Sequence, residues 1–218
     1  MRWKLEHPAS ESDAQITAAV AAARARGLAV LVKPHVWVPR SWPGAIQPVS
    51  EEAFAAWWRE YRDFILHHAL LAGRLGAEGF CVGTELSRLQ DRPEWRGLVA
   101  DVRRVFPGFV VYAANWDRTE IPFAEVLDAV GVDLYAPLSA KENATDAELS
   151  TGAGRVVVLL ETLAAKLRRP VLLTKSGFRP GPRAGCAQTR SIAVRPPTSR
   201  RRDVPRRLCF ARFRRAHP

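Results

Sequence analysis

An α/β fold is predicted for this 218-residue chain by three features: five short, near-continuous apolar runs, amphipathic helical stripes between them, and polar or aromatic residues where each run ends. Runs of this kind suit a parallel sheet covered on both faces. The first, "LAVLVKPHVWV" (28 to 38), carries Lys33 and His35 at its end. A helix comes next: Ser50 can cap it, Glu51 and Glu52 suit its positive end, and Phe54, Trp57, Trp58, Tyr61 and Ile65 share one face. The second run, "GFCVGTEL" (79 to 86), ends at Glu85, and Trp95, Leu98, Val99, Val102 and Phe106 repeat the helical stripe. Tryptophans in these stripes are predicted to be core rather than ligand platforms. "FVVYAANWD" (109 to 117) ends in Asn115 and Trp116, and "VGVDLYAPL" (130 to 138) carries Asp133 and Tyr135. Thr145 and Glu148 have capping-box spacing. Gly152 and Gly154 interrupt the helical pattern after that box, and Val156, Leu159, Leu160, Leu163 and Leu167 form a further stripe before "PVLLTKSGF" (170 to 178), which ends on Lys175.

A doubly wound sheet and a (β/α)8 barrel both fit that alternation. No run leads into a glycine-rich phosphate loop, which weakens the dinucleotide-binding version. Polar groups at the C-terminal end of every strand favour the barrel, because that rim is where barrels place their active sites. Five strands do not close a barrel of eight. The expected fold is an incomplete (β/α)8 barrel, with either a fragment or an open sheet behind it.

The formal net charge of +11 is confined to one end. Residues 176 to 218 hold 12 of the 33 basic residues, all arginine, and one of the 22 acids, leaving 21 of each in the body. A nucleic-acid surface spread over the folded part is therefore disfavoured. From residue 179 periodicity vanishes into Arg, Pro and Ala, so 1 to 178 is expected to be the barrel-like domain and 179 to 218 a disordered basic tail. Cys81, Cys186 and Cys209 are widely spaced and imply neither a disulfide framework nor a metal site, and no cofactor is implied. Cys81 is expected to be a small core residue. No run approaches the length of a membrane span, and the N-terminus carries no apolar signal core, so no membrane partner is expected. The compartment stays open.

"KPHVWV", "GTEL", "YAANWD" and "VDLYAPL", in this order on successive strand ends, resemble glycoside hydrolase family 113, the β-mannanase-like barrels. The likeness covers about residues 10 to 178. It implies a retaining hydrolase of β-1,4-mannosidic or related O-glycosidic bonds, with an oligo- or polysaccharide as partner and a monomeric domain. By this resemblance Glu85 matches the general acid/base that ends the fourth strand, and Lys175 stands where the seventh strand normally carries the nucleophilic glutamate. Lys33 and His35 match positions that would contact sugar hydroxyls or anchor the rim, and Asn115 would bond a hydroxyl near the cleavage point. Trp37, Trp42 and Trp116 would stack on sugar faces or close the barrel top, and Tyr135 would lie beside residue 175. Asp133 is read as a structural partner, and His67 and His68 as surface or packing residues.

A retaining glycosidase needs two carboxyl groups about 5 Å apart, one to protonate the leaving oxygen and one to attack the anomeric carbon. Lysine cannot attack as a carboxylate. It is also expected to favour the ionised form of Glu85 and lower its pKa. The chain is therefore expected to be inactive or impaired. Against the family, two strands before the first run and one after the last are expected to be missing, with a change of reading frame near residue 178. Two other classes remain: a non-catalytic carbohydrate-binding protein, and a basic tail that binds nucleic acid.

Overall fold

The computed structural model describes residues 11 to 141 and 143 to 177, together with the backbone of two short strands further on. Four helices, α1 (Asp13–Arg24), α2 (Glu51–Arg74), α3 (Glu94–Val105) and α4 (Asp146–Leu167), accompany five strands. These are β1 (Ala29–Val32), β2 (Gly79–Thr84), β3 (Phe109–Asn115), β4 (Ala129–Leu134) and β5 (Val171–Ser176). The five run parallel in sequence order, each beside the next. With their helices they form half of a (β/α)8 barrel. β6 (Ala193–Val194) lies antiparallel on β5, and β7 (Leu208–Phe210) lies parallel on β1. The expected disordered tail and change of frame otherwise fall outside the described residues.

The helix starts obey the local signals. Ser50 accepts a hydrogen bond from the Ala53 amide at 3.2 Å, and Thr145 and Glu148 form the reciprocal capping box. α1 carries a second box, Ser12 with Gln15. Such caps contribute about 1 kcal/mol each.

Alternation along the strands separates two apolar faces. Val30, Val32, Phe80, Val82, Val110, Tyr112 and Ala114 face the helices and join Phe54, Tyr61, Ile65, Trp95 and Val102 in the main core. Leu31, Cys81, Phe109, Val111, Ala113, Ala129 and Leu172 form a smaller cluster on the other, concave face. Trp95 is fully buried, donates to the Leu89 carbonyl at 2.8 Å, stacks on Phe123 at 5.2 Å and meets Trp58 and Tyr112 edge-on. Each such ring pair adds about 0.5–1.5 kcal/mol beyond its buried area, so these rings are structural.

Three features depart from the simple alternation of strand, helix and stripe. β3 and β4 are joined without an α-helix. Ile121, Phe123 and Leu127, buried around one 3-10 turn at Ala124–Val126, cover the sheet there instead. Leu159, expected on the buried stripe of α4, is 53% exposed beside exposed Val157 and Val158, and Leu160, Leu163 and Ala164 make the core contact. Gly152 does not break α4. A Cβ there would stand 1.9 Å from the Leu138 carbonyl oxygen, so the glycine lets the helix pack on the β4–α4 loop. Gly152→Ala is expected to cost about 1–3 kcal/mol, read by thermal unfolding.

Candidate active site

Period two decides which side chains reach the concave rim. Leu31 faces inward, so Lys33 does too; by the same count Val111 and Ala113 lead to Asn115, Ala129 and Gly131 to Asp133, and Leu172 to Thr174. Glu85 and Lys175 need more than alternation. The β2–β3 register shifts between Cys81 and Thr84, and the β4–β5 register shifts between Val132 and Asp133, so that Asp133 pairs with Lys175. One extra residue in a strand re-aims the side chains beyond it, and such irregularities recur next to active sites. Gly83 lies within the first shift, where a Cβ would meet Trp95 and Tyr112 at 2.7 Å. Just beyond it Glu85 adopts a left-handed backbone (φ 53), costing about 1–3 kcal/mol. Its amide donates to the Ala113 carbonyl at 2.8 Å and its carbonyl accepts from the Ser87 amide at 2.9 Å.

The side chains then form one charged array. The Lys33 ammonium donates to both Asp133 oxygens, at 2.6 and 2.7 Å, and the Thr174 hydroxyl donates to Oδ1 at 2.7 Å. Lys175 Nζ lies 3.3 Å from Glu85 Oε1 and 5.0 Å from the centre of the Tyr135 ring. Lys33 and Asp133 stand three strand spacings apart, about 14 Å in a flat sheet. Their direct contact requires the sheet to curl.

Burial raises the Glu85 carboxyl most; its hydrogen bond to Asp133 raises it further, and Lys175 lowers it only in part, leaving it at about 7. The expected net lowering by Lys175 is thus overturned: the cation acts in the expected direction, but burial and Asp133 outweigh it. For Asp133 burial also pushes upward, yet the Lys33 charge and the hydrogen bonds from Glu85, Lys33 and Thr174 hold it below the ordinary carboxylate value. Lys175 is depressed by burial but lifted overall by Glu85, Tyr135 and Asp133, so it stays charged.

The raised value fixes the sign of the effect on stability. Below pH 4.5 Glu85 is protonated in both the folded and unfolded chains; from there to about 7 only the unfolded chain ionises, and folding loses stability as pH rises. Over that window the wild type is expected to lose on the order of 3 kcal/mol relative to Glu85→Gln. Urea unfolding of both proteins across the window checks it.

The other sequence-derived residues occupy different settings. His35 and Trp37 are exposed on the loop after β1, Trp37 at 63%, and Trp42 is partly exposed beyond them. Asn115 donates to Asp117 at 2.7 Å, and Trp116 packs half-buried beside the β4–α4–β5 cluster. Tyr135 is exposed at the rim, and a Cβ on Gly177 would stand 2.8 Å from its ring. Of the two readings of Lys33, a contact to a sugar hydroxyl or an anchor of the rim, the hold of Asp133 on its ammonium fits the second. His67 Nε2 lies 2.9 Å from Asp13, and buried His68 donates to the Phe64 carbonyl at 2.8 Å; both sit on α2 in the helical layer. Cys81 is buried. Sequence reasoning did not find Thr174 as a partner of Asp133, although the same period-two count from Leu172 points to it. Among the described residues no group of three His, Cys, Asp or Glu could hold a metal ion, and no helix is long and apolar enough to cross a membrane.

A half-barrel whose C-terminal rim holds a buried, proton-retaining glutamate has the architecture of barrel glycosidases. The glycoside hydrolase family 113 model matches residues 2 to 190, and the chain belongs to that family. Among solved structures it is similar to the family 113 β-mannanase AaManA from Alicyclobacillus acidocaldarius in complex with ManMIm, at 30% identity and TM-score 0.67, covering 78% of this chain and 53% of that one. Two further structures of family 113 β-1,4-mannanase, one of them a complex, share 20% and 21% identity at TM-scores of 0.68 and 0.67. In each case 81% of this chain and 56% of the other is covered. The chain therefore spans about half the length of these mannanases. No curated protein matches it.

Proposed function

We propose that this chain binds β-mannan-type oligosaccharides at the rim without hydrolysing them, because Lys175 occupies the position of the carboxylate nucleophile. The observation that carries the reading is the 3.3 Å contact between Lys175 Nζ and Glu85 Oε1. Retaining hydrolysis requires a second carboxylate to attack the anomeric carbon. A charged ammonium has no lone pair to offer, and the lysine's surroundings favour its charged form. Glu85 supports the acid half of the reading, since it keeps its proton to about pH 7. The exposed rings of Trp37 and Tyr135 supply flat apolar faces for sugar C–H groups, and His35 follows β1 like Trp37 while Asn115 and Trp116 lie at the end of β3. The mannan preference rests on the similar mannanases.

Titration with mannooligosaccharides tests this, read together with an assay for new reducing ends. Saturable binding, weakened in Trp37→Ala, with no reducing ends formed, is the expected result. Absence of binding, or steady release of reducing sugar, would sink the reading.

A further inference from the structure

Two lysines reach the rim, and their surroundings differ. Lys33 is neutralised, because its ammonium donates to both oxygens of the buried Asp133, at 2.6 and 2.7 Å. Lys175 makes one longer contact, 3.3 Å to Glu85 Oε1, and its side chain is 24% exposed, so solvent and solutes can reach it. Among the described residues no other carboxylate forms an ion pair with it. Glu85 is a weak counter-ion, since it keeps its proton to about pH 7 while Lys175 stays charged. Asp133 also acts on Lys175, but its charge is already matched by Lys33. The innermost rim therefore carries one unmatched positive charge in a half-buried setting. There an opposite charge is attracted more strongly than in open water.

The neighbours of this charge define the anion that suits it. A protonated carboxyl stands beside the ammonium and has a hydrogen of its own to donate, so a ligand carboxylate would meet one charged and one neutral donor, 3.3 Å apart. One charge and two donors match a monoanion with two oxygens. The Tyr135 ring, exposed at the rim with its centre 5.0 Å from Lys175 Nζ, borders the same spot and gives the C–H groups of a sugar an apolar surface. We infer that the rim selects acidic over neutral sugars, with the Lys175 ammonium and the Glu85 carboxyl receiving the carboxylate of a β-1,4-linked hexuronate of manno configuration. The inference deepens the proposed function and rests on it for the use of this rim by β-1,4-linked manno chains. Mannuronate has the ring and linkage of β-mannan and differs in carrying a carboxylate where mannose has its hydroxymethyl group. The charged and titratable groups acting on Lys175 are Glu85 after β2, Asp133 on β4 and Tyr135 after β4.

Calorimetric titration of the full chain with β-1,4-mannuronotriose and with β-1,4-mannotriose, at about pH 6, tests the inference. At that pH the sugar carboxylates are ionised and Glu85 is mostly protonated. The acidic trisaccharide is expected to bind about tenfold or more tighter, the scale of a hydrogen bond to a charged group. Lys175→Met should bring the two affinities together. Equal affinities in the wild type overturn the inference, and so does a preference undiminished in Lys175→Met, which would put the acidic sugar on arginines elsewhere, such as the 12 within residues 176 to 218. A second readout needs no variant to fold: the Lys175 Cε resonance of the wild-type chain is expected to shift when mannuronotriose is added, and a resonance that stays still at saturation overturns the inference. Mannotriose bound as tightly as its acidic counterpart leaves the proposed function and removes the inference. Mannuronotriose bound through Lys175 with mannotriose unbound does the reverse, and binding of neither removes both.

Discussion

Lys33→Met is expected to destabilise the fold by about 3–5 kcal/mol, the usual cost of leaving one member of a buried ion pair without its partner. The two ends of the pair are 12% and 0% exposed, so solvent screening does little to reduce the effect. A domain with only about 5–15 kcal/mol of total stability would lose a large share of it. The deficit should shrink in acid. Asp133 has a lowered value in the folded chain, so its contribution is present above the ordinary aspartate value and lost as pH falls through the folded one. Replacing both partners, as in Lys33→Met with Asp133→Leu, should recover much of the loss, because two matched apolar groups leave no orphaned charge. Urea unfolding of the three proteins near neutral pH provides the measurement. A cost below about 1 kcal/mol for Lys33→Met would place the pair in the class of ordinary surface bridges and remove it as the support of the rim.

Mannan hydrolysis by the wild-type chain is expected to fall on the order of 10⁶-fold below that of a mannanase with both carboxyl groups, the scale on which losing a covalent nucleophile acts in other enzymes. The reason is chemical rather than steric. In the first half-reaction of a retaining glycosidase the leaving oxygen takes a proton from one carboxyl group, the role proposed for Glu85, while a second carboxylate forms a bond to the anomeric carbon. Here the acid retains its proton to about pH 7, but the group at 175 is a cation that repels the developing positive charge on the sugar ring. Release of reducing ends from mannan, compared with such a mannanase under the same conditions, gives the ratio.

Much of the scaffold was legible because its signals are local. Ser50 and the Thr145–Glu148 box mark helix starts within four residues, and the stripe from Trp95 to Phe106 needs only a period of 3.6. The same was not true of the β3–β4 connection, where Phe123 replaces a helix by stacking on Trp95, a partner far away in sequence. Gly152 misled as a helix breaker because its reason is the Leu138 carbonyl on another segment. At the site, motif order along the strands pointed to Glu85 and Lys175. The balance of charges was not legible. The hold of Lys33 on Asp133 depends on sheet curvature, the Asp133–Lys175 pairing depends on a register shift, and the protonation of Glu85 depends on burial that the sequence does not display.

The central claim is that Lys175 fills the nucleophile's place beside a working acid. Lys175→Gly should open that place to a small anion, so an activated aryl β-mannoside with added azide is the direct assay. Azide would form a bond to the anomeric carbon on the face opposite the aryloxy group as the bond between that carbon and the aryloxy oxygen breaks, with Glu85 supplying the proton to the departing oxygen. Azide-dependent release of the aryl alcohol, with the α-mannosyl azide as product from Lys175→Gly and no release from the wild type, is the expected result. Release by the wild type that is indifferent to azide and yields the β-configured sugar would contradict it.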